Sequence, residues 1–206
     1  TSIDLNDGGM TRIMMQSAGQ WYFDENGDLN VTDNAALKAA LETQAKMDKA
    51  GILYPATGWS NYVNAFTSGN TASVITGVWI TGTIKAQEDQ AGKWRVAPIP
   101  SLDGVDGATH ASNLGGSSWY VLSSSDVKDE AIDFLNEIYG KDVDFYQKIL
   151  TERGAVGSLL AAREGEAYQE ADPFFGGQEV WQMFSDWLNE IPPVDYGIFT
   201  NELDTA

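Results

Sequence analysis

Two short segments of this chain carry residue types and spacings suited to holding a small polar ligand. The first reads Thr71-Ala-Ser-Val-Ile-Thr-Gly-Val-Trp79-Ile-Thr-Gly82. A β-branched run stops at Gly77, and Trp79 follows where a helix is expected to start. Open α/β sheets bind ligands beyond the ends of their strands, and a flat aromatic placed there suits the weakly polar face of a sugar ring. The competing expectation is that Trp79 is core, since tryptophan is highly buried on average. The second segment reads Asn113-Leu-Gly115-Gly116-Ser117-Ser118-Trp119. Its glycines permit close backbone approach to a neighbour or a ligand. Backbone N–H groups and the hydroxyls of Ser117 and Ser118 would then bond a polar ligand beside an aromatic face. A turn with tight packing explains the same residues. The segment lacks the Gly-Lys-Ser/Thr of a phosphate loop.

Other chemistries find less support. Asp24-Glu-Asn26-Gly-Asp28-Leu-Asn30 resembles the start of a calcium loop, but Leu29 stands where that loop needs glycine and Ala35 where it needs the bidentate Glu. His110 is the only histidine, which is too few for a zinc site of the usual type. There is no Gly-x-Ser-x-Gly elbow. With 30 acidic residues some carboxylate pair always looks suited to glycoside hydrolysis, and solvated helix faces account for most of them. No catalytic residue and no metal ligand is assigned.

Composition narrows the classes further. The 206 residues are 43% hydrophobic and 20% charged, as in globular proteins with a sizeable core. The net charge of −18, from 30 acidic and 12 basic residues, excludes nucleic-acid binding and attraction to an anionic membrane. The chain has no cysteine, hence no disulfide, thiolate nucleophile or Cys-ligated zinc. No apolar run approaches the ~18 residues that span a bilayer. No charged-then-apolar leader opens the chain, so any signal peptide is expected to lie outside it.

These residues must be positioned by alternating strands and helices, an α/β pattern. Gln20–Thr32 reads as a hairpin around Asn26-Gly27. A helix over 34–50 is expected to be capped by Thr32 or Asp33 and to bury Leu37, Ala40, Leu41 and Met47. Ser60 is expected to cap a short helix containing Tyr62, Val63 and Phe66. Strands are expected at 71–76, 93–100 and 118–122, and a surface loop over 101–112. Helices are expected over 125–139, broken by Gly140, over 142–153, ended by Gly154, and over 178–190, stopped by Pro192-Pro193. Met10–Ser17 reads as part of a helix, so the chain is expected to be an excised fragment.

Taken in order, the motifs resemble one family. Ala65-Phe-Thr-Ser-Gly69, the Gly77-Val-Trp79 segment, Lys93-Trp-Arg-Val-Ala-Pro-Ile-Pro100, the Gly115-Gly116 loop with Asp129-Glu-Ala131-Ile-Asp-Phe-Leu135, and Arg153-Gly-Ala-Val-Gly157 are similar to extracellular solute-binding proteins of carbohydrate ABC importers, family 1, the maltose-binding-protein-like group. Gly157 stands where that family usually has proline. The resemblance implies a periplasmic-binding-protein-like (type II) lobe, a mixed sheet flanked by helices. It implies that residues 1–97 and 155–206 form the C-terminal lobe and that 98–154 crosses to an N-terminal lobe whose chain is absent. Pro98–Pro100 and Gly154–Gly157 would be hinges. Its implied ligand-binding residues are Trp79, Gly115, Gly116, Ser117, Trp119, Trp21 and Tyr22. Phe174–Gln178 and Asp195-Tyr196 match segments near the cleft more loosely. The implied partners are a mono- or oligosaccharide and the transmembrane subunits of an ABC permease, with no cofactor and no membrane insertion. The implied location is extracytoplasmic, in the periplasm or lipid-anchored at the outer face of the cytoplasmic membrane. Two other readings stay open: a carbohydrate-active enzyme with an acidic pair, and a receptor of the same fold for a non-sugar solute.

Overall fold

Strands β1 (Ser2–Asp4) and β2 (Tyr54–Ala56) pair in parallel, Ser2 opposite Tyr54 and Asp4 opposite Ala56. Parallel neighbours need a long crossover, and α1 (Gly9–Ser17) and α2 (Ala35–Lys49) lie in it, packed on each other. α3 (Trp59–Thr67) follows β2 and packs on both strands, burying Tyr62, Ala65 and Phe66. Six further helices complete the fold among the described residues: α4 (Thr81–Lys85), α5 (Lys128–Lys141), α6 (Val143–Arg153), α7 (Glu166–Gln169), α8 (Val180–Trp187) and α9 (Thr200–Asp204). The computed structural model describes residues 1–204.

The chain forms two compact units. One comprises Thr1–Gly77, Ala97–Leu114 and the stretch from Trp187 onward. Its core gathers Met15, Ala18, Trp21, Tyr22, Ala36 and Leu102. The other comprises Val78–Val96 and Gly115–Asp186. There α6 packs on α7, and Tyr146, Leu150, Tyr168, Phe175 and Val180 are buried.

The hairpin forms as expected, with Phe23 bridged to Leu29 in antiparallel sense. One carboxylate oxygen of Asp24 accepts from the N–H groups of Asn26 (2.9 Å) and Asp28 (3.0 Å). The residues that imitate a calcium loop therefore form a tight turn, with the Asp24 carboxylate accepting from the N–H groups of Asn26 and Asp28. The cap of α2 is Asn34, not Thr32 or Asp33. Its Oδ1 accepts from Leu37 N at 2.8 Å, while its Nδ2 donates to Trp21 O at 3.0 Å and Asn30 O at 2.8 Å. A carboxamide can accept from the helix and donate twice to the hairpin at once, whereas a hydroxyl has one donor and a carboxylate none. The buried stripe of α2 is Ala36 and Ala40, and Leu41 faces solvent. α3 begins at Gly58 rather than on a Ser60 cap. Gly140 does not break α5; the helix runs to Lys141, and Asp142 then caps α6 by accepting from Phe145 N at 2.8 Å.

The mixed sheet is the main departure from expectation. Segments 71–76, 93–100 and 118–122 contain no strand, and the only sheet among the described residues is the parallel β1–β2 pair. β propensity reports how well a side chain fits a half-buried pleated surface, and among the described residues none of these segments is paired with a strand. At 93–100 a side chain takes the neighbour's place. Gln178 accepts from Val96 N through Oε1 (2.8 Å) and donates through Nε2 to Val96 O (2.8 Å), both bonds a paired strand would make.

Two outcomes follow from these bonds. The Tyr168 hydroxyl accepts from the buried Gly157 N–H at 3.1 Å. Tyr168→Phe orphans that donor and is expected to cost about 1–3 kcal/mol in chemical denaturation; Tyr120→Phe, at an exposed ring, is expected to cost nothing measurable. The turn N–H bonds, that of Asp28 first, hold the Asp24 carboxyl below the usual carboxylate range. A pKa depressed by folding contributes stability above the unfolded value and loses it as pH falls through the folded one. An NMR pH titration of the Asp24 carboxyl is therefore expected to give a midpoint below that of an unfolded-peptide control.

Candidate functional site

Trp79 sits in a single 3-10 turn, Val78–Ile80, that leads directly into α4. Three contacts fix this piece. Thr81 Oγ1 donates to Val78 O at 2.9 Å, closing the turn around Trp79. Ile80 and Ile84 are buried and anchor the apolar side of the helix. At its far end Lys85 Nζ lies 2.8 Å from Asp172 Oδ2. Asp172 is itself buried: its Oδ1 accepts from Phe174 N at 3.0 Å and its backbone N–H donates to Gln178 O at 2.8 Å. The ion pair thus joins α4 to an already ordered turn. Gly154, which ends α6 in left-handed conformation (φ 66°), comes close behind; a Cβ there would lie 3.0 Å from Thr81 Oγ1 and 3.2 Å from the Trp181 ring.

With its base held, Trp79 keeps 42% of its surface exposed. The Gly-Gly loop approaches the edge of its indole. A Cβ on Gly115 would lie 3.4 Å from Trp79 Nε1, and Gly115 and Gly116 hold φ angles of 94° and 122° that side chains rarely adopt. Gly116 and Ser117 are exposed beside it in the chain. Of the 115–117 loop, Gly115 is the residue whose backbone lies against the Trp79 indole. Trp119 is 67% exposed, and its ring leans on Tyr139 with centroids 5.5 Å apart. Tyr139 in turn meets Phe145 edge-on at 5.2 Å. Trp119 is therefore a solvent-facing ring on an aromatic cluster of α5 and α6.

Trp21 and Tyr22 belong to the other unit, where they are 2% and 6% exposed. Trp21 Nε1 donates to Thr200 Oγ1 at 3.0 Å and Tyr196 O at 3.2 Å. Its ring lies 4.5 Å from that of Tyr196, tilted by 46°. Trp21 is the support and Tyr196, 39% exposed, is the ring that reaches solvent. Sequence reading gave Tyr196 little weight and missed Gln16, whose side chain meets the Tyr196 hydroxyl at 3.3 Å. The signal available was a glutamine on the buried face of α1. His110 is engaged by Ile99 O at 2.9 Å. Among the described residues no group of three or more His, Cys, Asp or Glu is placed to hold a metal ion. No described helix is long and apolar enough to cross a membrane.

Exposed indoles beside backbone amides and hydroxyls can hold a neutral polyhydroxy ligand by ring contact and hydrogen bonds, without forming or breaking a covalent bond. The sequence comparisons give this arrangement its class. The family described as bacterial extracellular solute-binding protein matches residues 5–175, and the chain belongs to that family. It is 69% identical over 205 residues to the lactose-binding protein of Rhizobium radiobacter, covering 100% of this chain and 48% of that protein. It is 25% identical over 204 residues to the arabinooligosaccharide-binding protein of Bacillus subtilis (strain 168), covering 94% of this chain and 46% of that protein. The chain spans about half the length of the curated relatives it matches.

The Gly115 contact has a measurable consequence. Gly115→Ala must adopt a strained φ beside Trp79 and is expected to cost about 1–3 kcal/mol. Gly82→Ala, in α4 with open space around it, is expected to gain about 0.5–1 kcal/mol. Paired urea titrations check both signs.

Proposed function

We propose that this chain is the ligand-binding part of a receptor that captures a mono- or oligosaccharide and delivers it to the transmembrane subunits of an ABC permease. The observation that carries the reading is Trp79, exposed on a turn tied down at both ends, with the backbone of Gly115 against its indole edge. Trp79 supplies the stacking face. Gly115, Gly116 and Ser117 supply N–H and hydroxyl partners, and Trp119 a further ring. Trp21 acts from beneath Tyr196, and Tyr22 packs on Trp21. The names of the relatives support a sugar, and a β-galactoside or an arabino-oligosaccharide is the first class to test. The reading is of a binding protein that converts nothing. Its site of action is outside the cytoplasm, in the periplasm or lipid-anchored at the outer face of the cytoplasmic membrane.

The reading includes a periplasmic-binding-protein-like architecture in which residues 1–97 and 155–206 belong to one lobe and 98–154 meets another. Exposed Trp119, Tyr120, Leu122, Ile132 and Phe134 support that last point, since so many large apolar side chains open to solvent are unusual in one segment that stays in water. Lobe closure on a sugar follows if the ligand contacts the closed state better. Pro98–Pro100 and Gly154–Gly157 are the proposed hinges.

A thermal-shift screen of the full-length protein against lactose, arabino-oligosaccharides and a wider sugar panel tests the class, because a ligand that binds only the folded state raises the melting temperature. Trp79→Ala is then expected to weaken the cognate sugar by about 2 kcal/mol or more, roughly thirtyfold in Kd, as for other anchoring tryptophans. Unchanged affinity by calorimetry removes Trp79 from the site.

A further inference from the structure

Asn26-Gly27 turns the hairpin and has no part in the ligand site proposed above. Asn26 is the only asparagine in the sequence that is followed by glycine. Glycine has no Cβ to hold its backbone nitrogen away from the preceding side chain. That nitrogen can therefore reach and attack the asparagine Cγ. Both residues are exposed, and nothing lies within 4 Å of where a Cβ on Gly27 would stand. The pair thus stands in water, free of packing on the glycine side. Asn34, by contrast, is buried with its Nδ2 committed to Trp21 O and Asn30 O.

What restrains the attack is hydrogen bonding. The Gly27 N–H, whose nitrogen is the nucleophile, donates to Asp24 O at 3.0 Å. The Asn26 N–H is held by Asp24 Oδ1 at 2.9 Å, and the same oxygen accepts from Asp28 N at 3.0 Å. Further bonds close the hairpin behind them, Asp24 N to Asp28 O at 2.9 Å and Asn30 N to Tyr22 O at 2.7 Å. To attack, Gly27 N must lose its proton, leave its carbonyl partner and rotate toward Asn26 Cγ, so the turn has to open first. Asp24 holds the turn through both its carbonyl and its carboxylate, and opening depends on it. Water takes over the freed groups, so opening costs a net hydrogen bond rather than the full one.

We propose that Asn26 is a self-modification site and that Asp24 sets its rate. A bond forms between Gly27 N and Asn26 Cγ, and the Cγ–Nδ2 bond breaks. The proton from Gly27 N leaves with the side-chain amide as ammonia, and a cyclic imide remains. Water then opens the ring at either carbonyl, giving aspartate or isoaspartate. In isoaspartate the main chain runs through Cγ and is one carbon longer. No oxidant, cofactor or second protein takes part. Either product places a new negative charge beside Asp24, Glu25 and Asp28, in a chain already at −18. The isoaspartyl form also displaces the N–H groups that Asp24 accepts from. It loosens the hairpin at whose base Trp21 and Tyr22 enter the core. The hairpin is thereby a clock that records how long the folded protein has stood.

The test stores the full-length protein in mildly alkaline buffer, where the amide loses its proton more readily. Peptide mapping follows each asparagine, and enzymatic methylation measures isoaspartate. Asn26 is expected to convert ahead of every other asparagine, and about tenfold more slowly than in a peptide of residues 21–32, the value of one net hydrogen bond. Asp24→Ala is expected to speed the conversion about threefold to tenfold. Asp24→Asn keeps an acceptor oxygen and is expected to stay near wild type. Thermal melts check that both variants fold. Hydrogen exchange of the Gly27 N–H in wild type measures turn opening without any variant, and is expected to be slowed to the same extent as the reaction. Protein rich in isoaspartate is expected to melt below Asn26→Asp, which carries the charge without the longer main chain. If another asparagine converts first, or Asn26 is intact when the peptide has fully converted, the site is overturned. If folded Asp24→Ala converts at the wild-type rate, or the Gly27 N–H exchanges as freely as in the peptide, control by Asp24 is overturned.

Discussion

A peptide N–H or C=O taken out of water must find a partner. In this chain side chains supply many of the partners that strands usually supply. Gln178 closes both polar groups of Val96, one bond from each end of its carboxamide. Gln147, on α6, also uses both ends of its carboxamide, donating to Ala162 O at 2.6 Å and accepting from Ala167 N of α7 at 3.0 Å. Asn34 joins a helix start to the hairpin before it, and Asp4 accepts from Asn6 and Gly58, tying β1 to the entry of α3. A ladder spreads its hold over a row of residues. A carboxamide clasp concentrates it in one, so long irregular stretches are ordered by a few polar side chains whose loss has no neighbour to compensate it.

The candidate ligand faces follow the same economy. Trp79 projects from a turn too short to be stable alone, and its orientation depends on Thr81, on two buried isoleucines and on the Lys85–Asp172 pair. Asp172 can hold Lys85 because its other oxygen is already committed to Phe174 N. Tyr196 is presented differently, by an indole that is itself buried and bonded through its nitrogen. An exposed ring gains nothing from burial, so in each case its position is set by groups that lie in the interior.

The sequence made the helices largely legible, because apolar spacing and stop residues are local signals. α6 ends at Gly154 and the hairpin turns at Asn26-Gly27, both as read. The caps were less legible: Asn34 outcompetes two residues of equal intrinsic merit because only it has donors for Trp21 O and Asn30 O, a fact of tertiary placement. The three missing strands show the limit more sharply. Val74, Ile75, Val96 and Val121 have strand propensity, but a strand exists only with a neighbour, and the position of a neighbour is not written in the segment itself. The site divided the same way. Trp79 and Gly115 were legible from glycine and aromatic spacing. Trp21 reads from the sequence as a candidate ligand ring, but its burial was not legible, since it depends on Tyr196 and Thr200, some 180 residues away along the chain.

That last separation bears on how the molecule comes into being. The unit containing Thr1 also takes in the stretch from Trp187 onward, and both stretches of the other unit, Val78–Val96 and Gly115–Asp186, fall between them in sequence. While the ribosome is still working, the earlier segments of the first unit have no Tyr196 or Thr200 to receive Trp21, so its core stays open. Contacts of such sequence separation form late and slowly. Until Tyr196 and Thr200 arrive, the Trp21 indole lacks its hydrogen-bond acceptors, so this core is completed by its most distant contacts rather than by its local ones.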